Sequence, residues 1–161
     1  MTSLDEILEE LETQIKRQSV FTGAKVFQRP EAPEDEVPEI VALYLVPENP
    51  EAEESDFSMD LRIYPIAITV KFQMLGEGFH DEEDERHAWI QARHEFVDAL
   101  MGLVSVWNRR EDNTTHAYYC RLRSVVLNFN APDEIKTADD RQGGHIHRSQ
   151  IVIDFHTAEG Q

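Results

Sequence analysis

Residues 61–104 read LRIYPIAITVKFQMLGEGFHDEEDERHAWIQARHEFVDALMGLV, and both periodicities that decide the fold lie within them. In the first part Ile66, Ile68, Val70, Phe72 and Met74 occupy every second position, with Ala67, Thr69, Lys71 and Gln73 between them. Side chains alternate across a strand, so this pattern predicts a strand with one buried face. From Asp84 onward the period changes. Trp89, Phe96, Leu100, Leu103 and Val104, flanked by Ile90, Val97 and Met101, recur at three- and four-residue spacing, the mark of an amphipathic helix. A strand with one buried face and a helix with one apolar stripe, joined by a short acidic connector, bury those surfaces against each other.

Upstream, Ser3 and Glu6 have capping-box spacing, and Leu4, Ile7, Leu8, Leu11 and Ile15 fall on one side of a helix of about four turns. Its other side is acidic early (Asp5, Glu9, Glu10, Glu12) and basic late (Lys16, Arg17), which suits the helix dipole. A short strand is expected over 20–27, weakened by Gly23, followed by an acidic turn containing Pro30, Pro33 and Pro38. Residues 40–46 read as a compact apolar strand, and 47–60 as an acidic loop without periodicity. Pro65 lacks an amide donor, which implies an edge position or a bulge in the strand that follows.

Downstream, Arg109 and Arg110 mark the helix C-terminus and 111–116 a polar turn. A strand over 118–129 slips in phase: Cys120 and Leu122 share one parity, Val125, Leu127 and Phe129 the other, which a bulge near Ser124 reconciles. A polar loop, 131–144, projects before a last strand, 145–156, whose Ile151, Ile153 and Phe155 form one face. These two strands are expected to pair as a hairpin. The order predicts one α+β domain over 1–161: a mostly antiparallel, mixed sheet with helices packed on one face.

Thirty-two Asp and Glu against fifteen Lys and Arg give a net charge of −17, which repels nucleic acid and anionic membrane at long range. Six carboxylates crowd between Glu77 and Glu85, and eleven between Glu31 and Asp60. The mean hydropathy of −0.51 reflects these acids. Cys120 is the single cysteine, so an internal disulfide is excluded. No stretch has the length and apolarity of a membrane span, and the acidic N-terminal residues do not fit a secretory signal.

No phosphate loop, nucleophile elbow or HExxH pattern occurs, so neither an enzyme nor a cofactor is expected. His145 and His147 point the same way from one strand and form the only metal-like pair, but a third ligand is missing and His156 has the opposite parity. A small metal-binding enzyme using these two histidines is the alternative reading. His80, His87 and His94 lie too far apart along their helix to share one ion, and 81–85 lacks the ligand pattern of a calcium loop. Cys120 reads as a half-buried strand residue. Arg121 and Arg123 project together from one strand and Arg62 begins another, in a chain short of positive charge. Either these arginines pair with carboxylates of the same subunit, or they meet an acidic loop of a neighbour in a head-to-tail contact that can close into a ring.

In size and order of parts the chain resembles the tail terminator proteins of long-tailed bacteriophages and phage-derived particles. The resemblance rests on the helix 3–16, the extended DLRIYPIAITVKFQM (60–74), the helix around RHAWIQARHEFVDALMGL (86–103), and the closing strands YYCRLRSVVLNFN (118–130) and HIHRSQIVIDFHT (145–157). It implies a sandwich-like subunit with projecting loops and no enzymatic activity. Such subunits form a hexameric ring on the completed tail tube, stop its growth and offer a docking face to the head connector protein. The expected partners are copies of the chain, the tail tube protein and the head connector, at the tail or neck of a virion assembled in the host cytoplasm. The genome would pass through the channel without specific binding, which an acidic lining favours. A head-to-tail joining or tail tube subunit of the same particle is the neighbouring alternative.

Overall fold

The computed structural model describes residues 3–29, 41–52, 59–75, 82–110, 117–127, 133–134 and 144–160; within these spans, the side chains of 52, 59–60, 73–75, 82–89, 133–134, 144–147 and 159–160 are not described. Helix α1 (Ser3–Lys16) leads through a 3-10 turn (Ser19–Phe21) into strands β1 (Lys25–Gln28), β2 (Val41–Pro47), β3 (Glu51–Ala52) and β4 (Met59–Leu75). Helix α2 (Glu82–Arg109) follows, then β5 (Ala117–Val126), β6 (Asp133–Glu134) and β7 (Gly144–Gly160). The sheet order is β1-β2-β4-β7-β5, with β3 added to β4 and β6 to β7. Among the described strands only β1 and β2 are parallel; every other pairing is antiparallel. This is the α+β architecture the sequence predicts, with both helices contributing to one core over one face.

The spine is the β4/β7 pair, in register over the whole 17 residues of each strand. At about 3.3 Å per residue such a ribbon spans roughly 55 Å, far beyond an average strand. The helix-side face carries Val41, Leu43 and Leu45 from β2, Ile66, Ile68, Val70 and Phe72 from β4, Ile151, Ile153 and Phe155 from β7, and Cys120 from β5. Against them pack Ile7, Leu8, Leu11 and Ile15 of α1 and Val97, Leu100, Leu103 and Trp107 of α2. Ring contacts lock the layers, with Phe96 edge-on to Phe72 at 5.1 Å and stacked on Phe21 at 5.7 Å. The α2 stripe is narrower than its spacing suggests: Ile90 and Met101 are exposed, whereas Trp107 is buried edge-on to Phe155.

Four local expectations are corrected. The alternation in β4 implies one solvated face, yet Ala67, Thr69 and Lys71 on the outer face are buried as well, with Tyr44 and Ala42 of β2 and Val152 and Asp154 of β7. Small and polar residues can be buried when satisfied, so the hydrophobic pattern marks the helix side without showing that the other is open. Residues 20–24 are not strand, because Gly23 takes φ 81° in the turn that precedes Lys25. Pro65 lies inside the central strand. It sits in the gap where β4 changes partner from β2, which ends opposite Ile66, to β3, which begins opposite Ile63, and its carbonyl accepts the Glu48 amide at 2.9 Å. The acidic 47–60 loop is not wholly irregular, since Glu51 and Ala52 form β3 and β4 begins at Met59.

The expected turn at 30–38, the connector 76–81, the polar turn 111–116 and most of the projecting loop 131–144 lie outside the described residues.

Candidate subunit interface

Strand β5 ends the sheet and, among the described strands, is paired on one side only. Its pairing with β7 shifts register between Leu122 and Ser124, the bulge that the slipped phase requires. The shift leaves Arg123 as the extra residue. Its Nε donates to Asp154 Oδ2 at 2.9 Å, and Nη2 donates to both Glu51 carboxylate oxygens at 3.1 Å. Asp154 is 1% exposed. A buried carboxylate needs a partner, and Arg123 supplies it while tying β3 to the β5/β7 edge. Both carboxylates hold the guanidinium pKa above its ordinary value, the Asp154 hydrogen bond first.

The three arginines singled out in the sequence therefore separate. Arg121 lies opposite Asp154 on the outer face and is exposed. Arg123 reaches the same face but is engaged within its own subunit. Arg62 is opposite Thr157, on the other face, and its carbonyl accepts the Thr157 hydroxyl at 3.2 Å. An open cleft of about 490 Å³ adjoins the Arg123 cluster, lined by Val46, Pro47, Glu48, Asn49, Glu51, Pro65 and Arg123.

The other side of β5 is half closed by the C-terminal turns of α2, in a way that residue spacing does not reveal. Asn108 Nδ2 donates to the Cys120 carbonyl at 2.9 Å, and Asn108 Oδ1 accepts the Cys120 amide at 2.8 Å. One side-chain amide thus satisfies the same two backbone groups that an added strand would take. Next to it Trp107 Nε1 and Arg110 Nη2 both donate to the Ala117 carbonyl, at 3.3 and 2.6 Å, and the Arg110 guanidinium lies 3.8 Å above the Trp107 ring. Beyond Cys120 no such cap is found among the described residues. There the exposed apolar side chains are Val125, Val126 and Leu127, with Tyr118 and Tyr119 at the capped end. A sheet edge with exposed apolar side chains is a template for another strand unless it is covered.

Cys120 is fully buried instead of half-buried, with Sγ 3.8 Å from the Val104 carbonyl, and burial pushes its pKa up to about 12. It is a packed thiol. Among the described residues no three metal-ligating side chains converge. The side chains of His145 and His147 lie outside those described; along the backbone they stand opposite Met74 and Phe72, and β6 sets Glu134 opposite His145. His94 is exposed, and His80 and the His87 side chain lie outside the description. No helix among the described residues is long and apolar enough to cross a membrane.

No known family model matches the chain, and no curated protein matches it.

Proposed function

We propose that the chain is a structural subunit of a phage-like tail, a terminator that joins copies of itself into a ring on the tail tube and presents a docking face to the head connector. The observation carrying this reading is that the two ends of the sheet are unlike. At the β1 end lies α1, joined to it by the Gln28–Glu12 hydrogen bond, with Asp5 and Glu9 exposed, Lys16 and Arg17 exposed at its C-terminus, and Glu12 paired with Lys16 at 3.0 Å. At the β5 end are the exposed Arg109 and Arg121 and the uncapped apolar edge. Unlike ends favour a head-to-tail contact, and such contacts close into rings when the rotation divides evenly. The order of helices and strands adds the resemblance to tail terminators, and the net charge of −17 suits a passage that must not hold DNA phosphates.

The test is to add the purified chain to growing tail tubes and inspect them by electron microscopy. Tubes of uniform length with a ring at one end support the proposal. Unchanged, uncapped growth overturns it. A protein that instead lines the tube or binds only to head connectors points to the neighbouring structural roles.

A further inference from the structure

We propose that the ring is joined by continuation of the sheet, the uncapped half of β5 pairing antiparallel with β1 of a second copy. This rests on the head-to-tail reading above and specifies its contact. Apart from the two-residue β3 and β6, the strands paired on one side only among those described are β1 and β5, at opposite ends of the sheet. Counted through the pairings, β5 runs with β4, and β1 runs against it. A rotation about an axis along the strands preserves strand direction, so β1 of the next copy meets β5 antiparallel.

Length and facing agree as well. The caps on Ala117 and Cys120 leave residues 121–126 uncapped, room enough for the four residues of β1. Val26 faces the helix layer, where it packs on the core; Lys25 and Phe27 face outward, opposite Ala42 and Tyr44. In β5, Val125 faces the helix layer opposite Ile151, whereas Ser124 and Val126 face outward opposite Val152 and Gln150. The register that keeps faces together sets Lys25 against Val126, Val26 against Val125 and Phe27 against Ser124. It extends the core by a Val–Val pair. A two-fold β5–β5 pairing is the competitor; it leaves the β1 edge uncovered and stops at two copies instead of closing a ring.

Disulfide trapping tests this directly, because the native Cys120 is buried and does not compete. The double variant Lys25→Cys/Val126→Cys, checked for folding by circular dichroism, is oxidised and run without reductant. The expected result is a ladder of covalent multimers, lost in each single variant and in Lys25→Cys/Tyr118→Cys, whose second cysteine lies in the capped half. A covalent dimer from Val126→Cys alone identifies the two-fold pairing and overturns the proposal. Rings of the unaltered chain, seen by native mass spectrometry, together with no ladder from the folded double variant would overturn the strand pairing while leaving the ring intact. A chain that stays monomeric and gives no ladder at its highest soluble concentration also overturns it. Tube capping by the unaltered chain judges the terminator reading separately.

Discussion

Arg123 does the most with one side chain. It neutralises Asp154, buried at the heart of the β5/β7 edge, and holds Glu51 of β3 across the outer face. Arg123→Ala leaves a buried carboxylate uncompensated, so its melting temperature should fall clearly, whereas Glu51→Ala, which removes only the exposed partner, should change it little. Adding Asp154→Asn to Arg123→Ala should recover part of the loss, by relieving the stranded charge. Cys120 offers a pH test. Its folded pKa of about 12 lies above the ordinary 9.0, so the unfolded chain loses that proton first as pH rises. Stability from this group is therefore complete below pH 9 and declines from pH 9 to 12. Thiol reagents should label native protein slowly and unfolded protein at once; rapid native labelling would contradict the buried thiol.

Among the elements, α2 has two tasks, and they are separable by mutation. Its buried face sets Phe96 on Phe72 and Trp107 on Phe155, with Leu100 fully buried, and Leu100→Ala should cost about 2–5 kcal/mol in denaturant unfolding, as expected for a cavity in a packed core. Its end caps β5. Asn108→Ala removes two hydrogen bonds from the Cys120 backbone and should cost about 1–3 kcal/mol. The same change exposes a longer sheet edge, so a rise in aggregation should accompany the loss of stability, whereas Leu100→Ala affects the edge only through unfolding. The β4/β7 ribbon is the complementary case. Its length comes from seventeen paired residues with no proline on the β7 side, and Pro65 is tolerated because it falls where the neighbouring strand changes.

For the whole molecule, charge and shape act against each other. Copies with a net charge of −17 repel at low ionic strength, while the contact surfaces proposed here are mainly apolar and short in range. Association measured by light scattering should therefore strengthen between about 0.01 and 0.15 M salt, where the screening length shrinks from ~30 to ~8 Å. Weakening over that range would mean that the arginine contacts, instead of edge pairing, dominate the junction. Much of the architecture is legible in residue order. Period two in 66–74 and period near 3.6 in 86–104 each report a single local geometry, and the slipped phase at 120–127 marks the bulge. The closing hairpin and the α+β class follow from the same local patterns. What could not be read is which surfaces meet: the buried outer face with Lys71 opposite Arg148, the engagement of Arg123 by Asp154 and Glu51, and the Asn108 cap on Cys120. Periodicity is a property of neighbours along the chain. Burial of a polar side chain and the partner of a charge depend on residues brought close by the sheet order, and only the tertiary structure sets that.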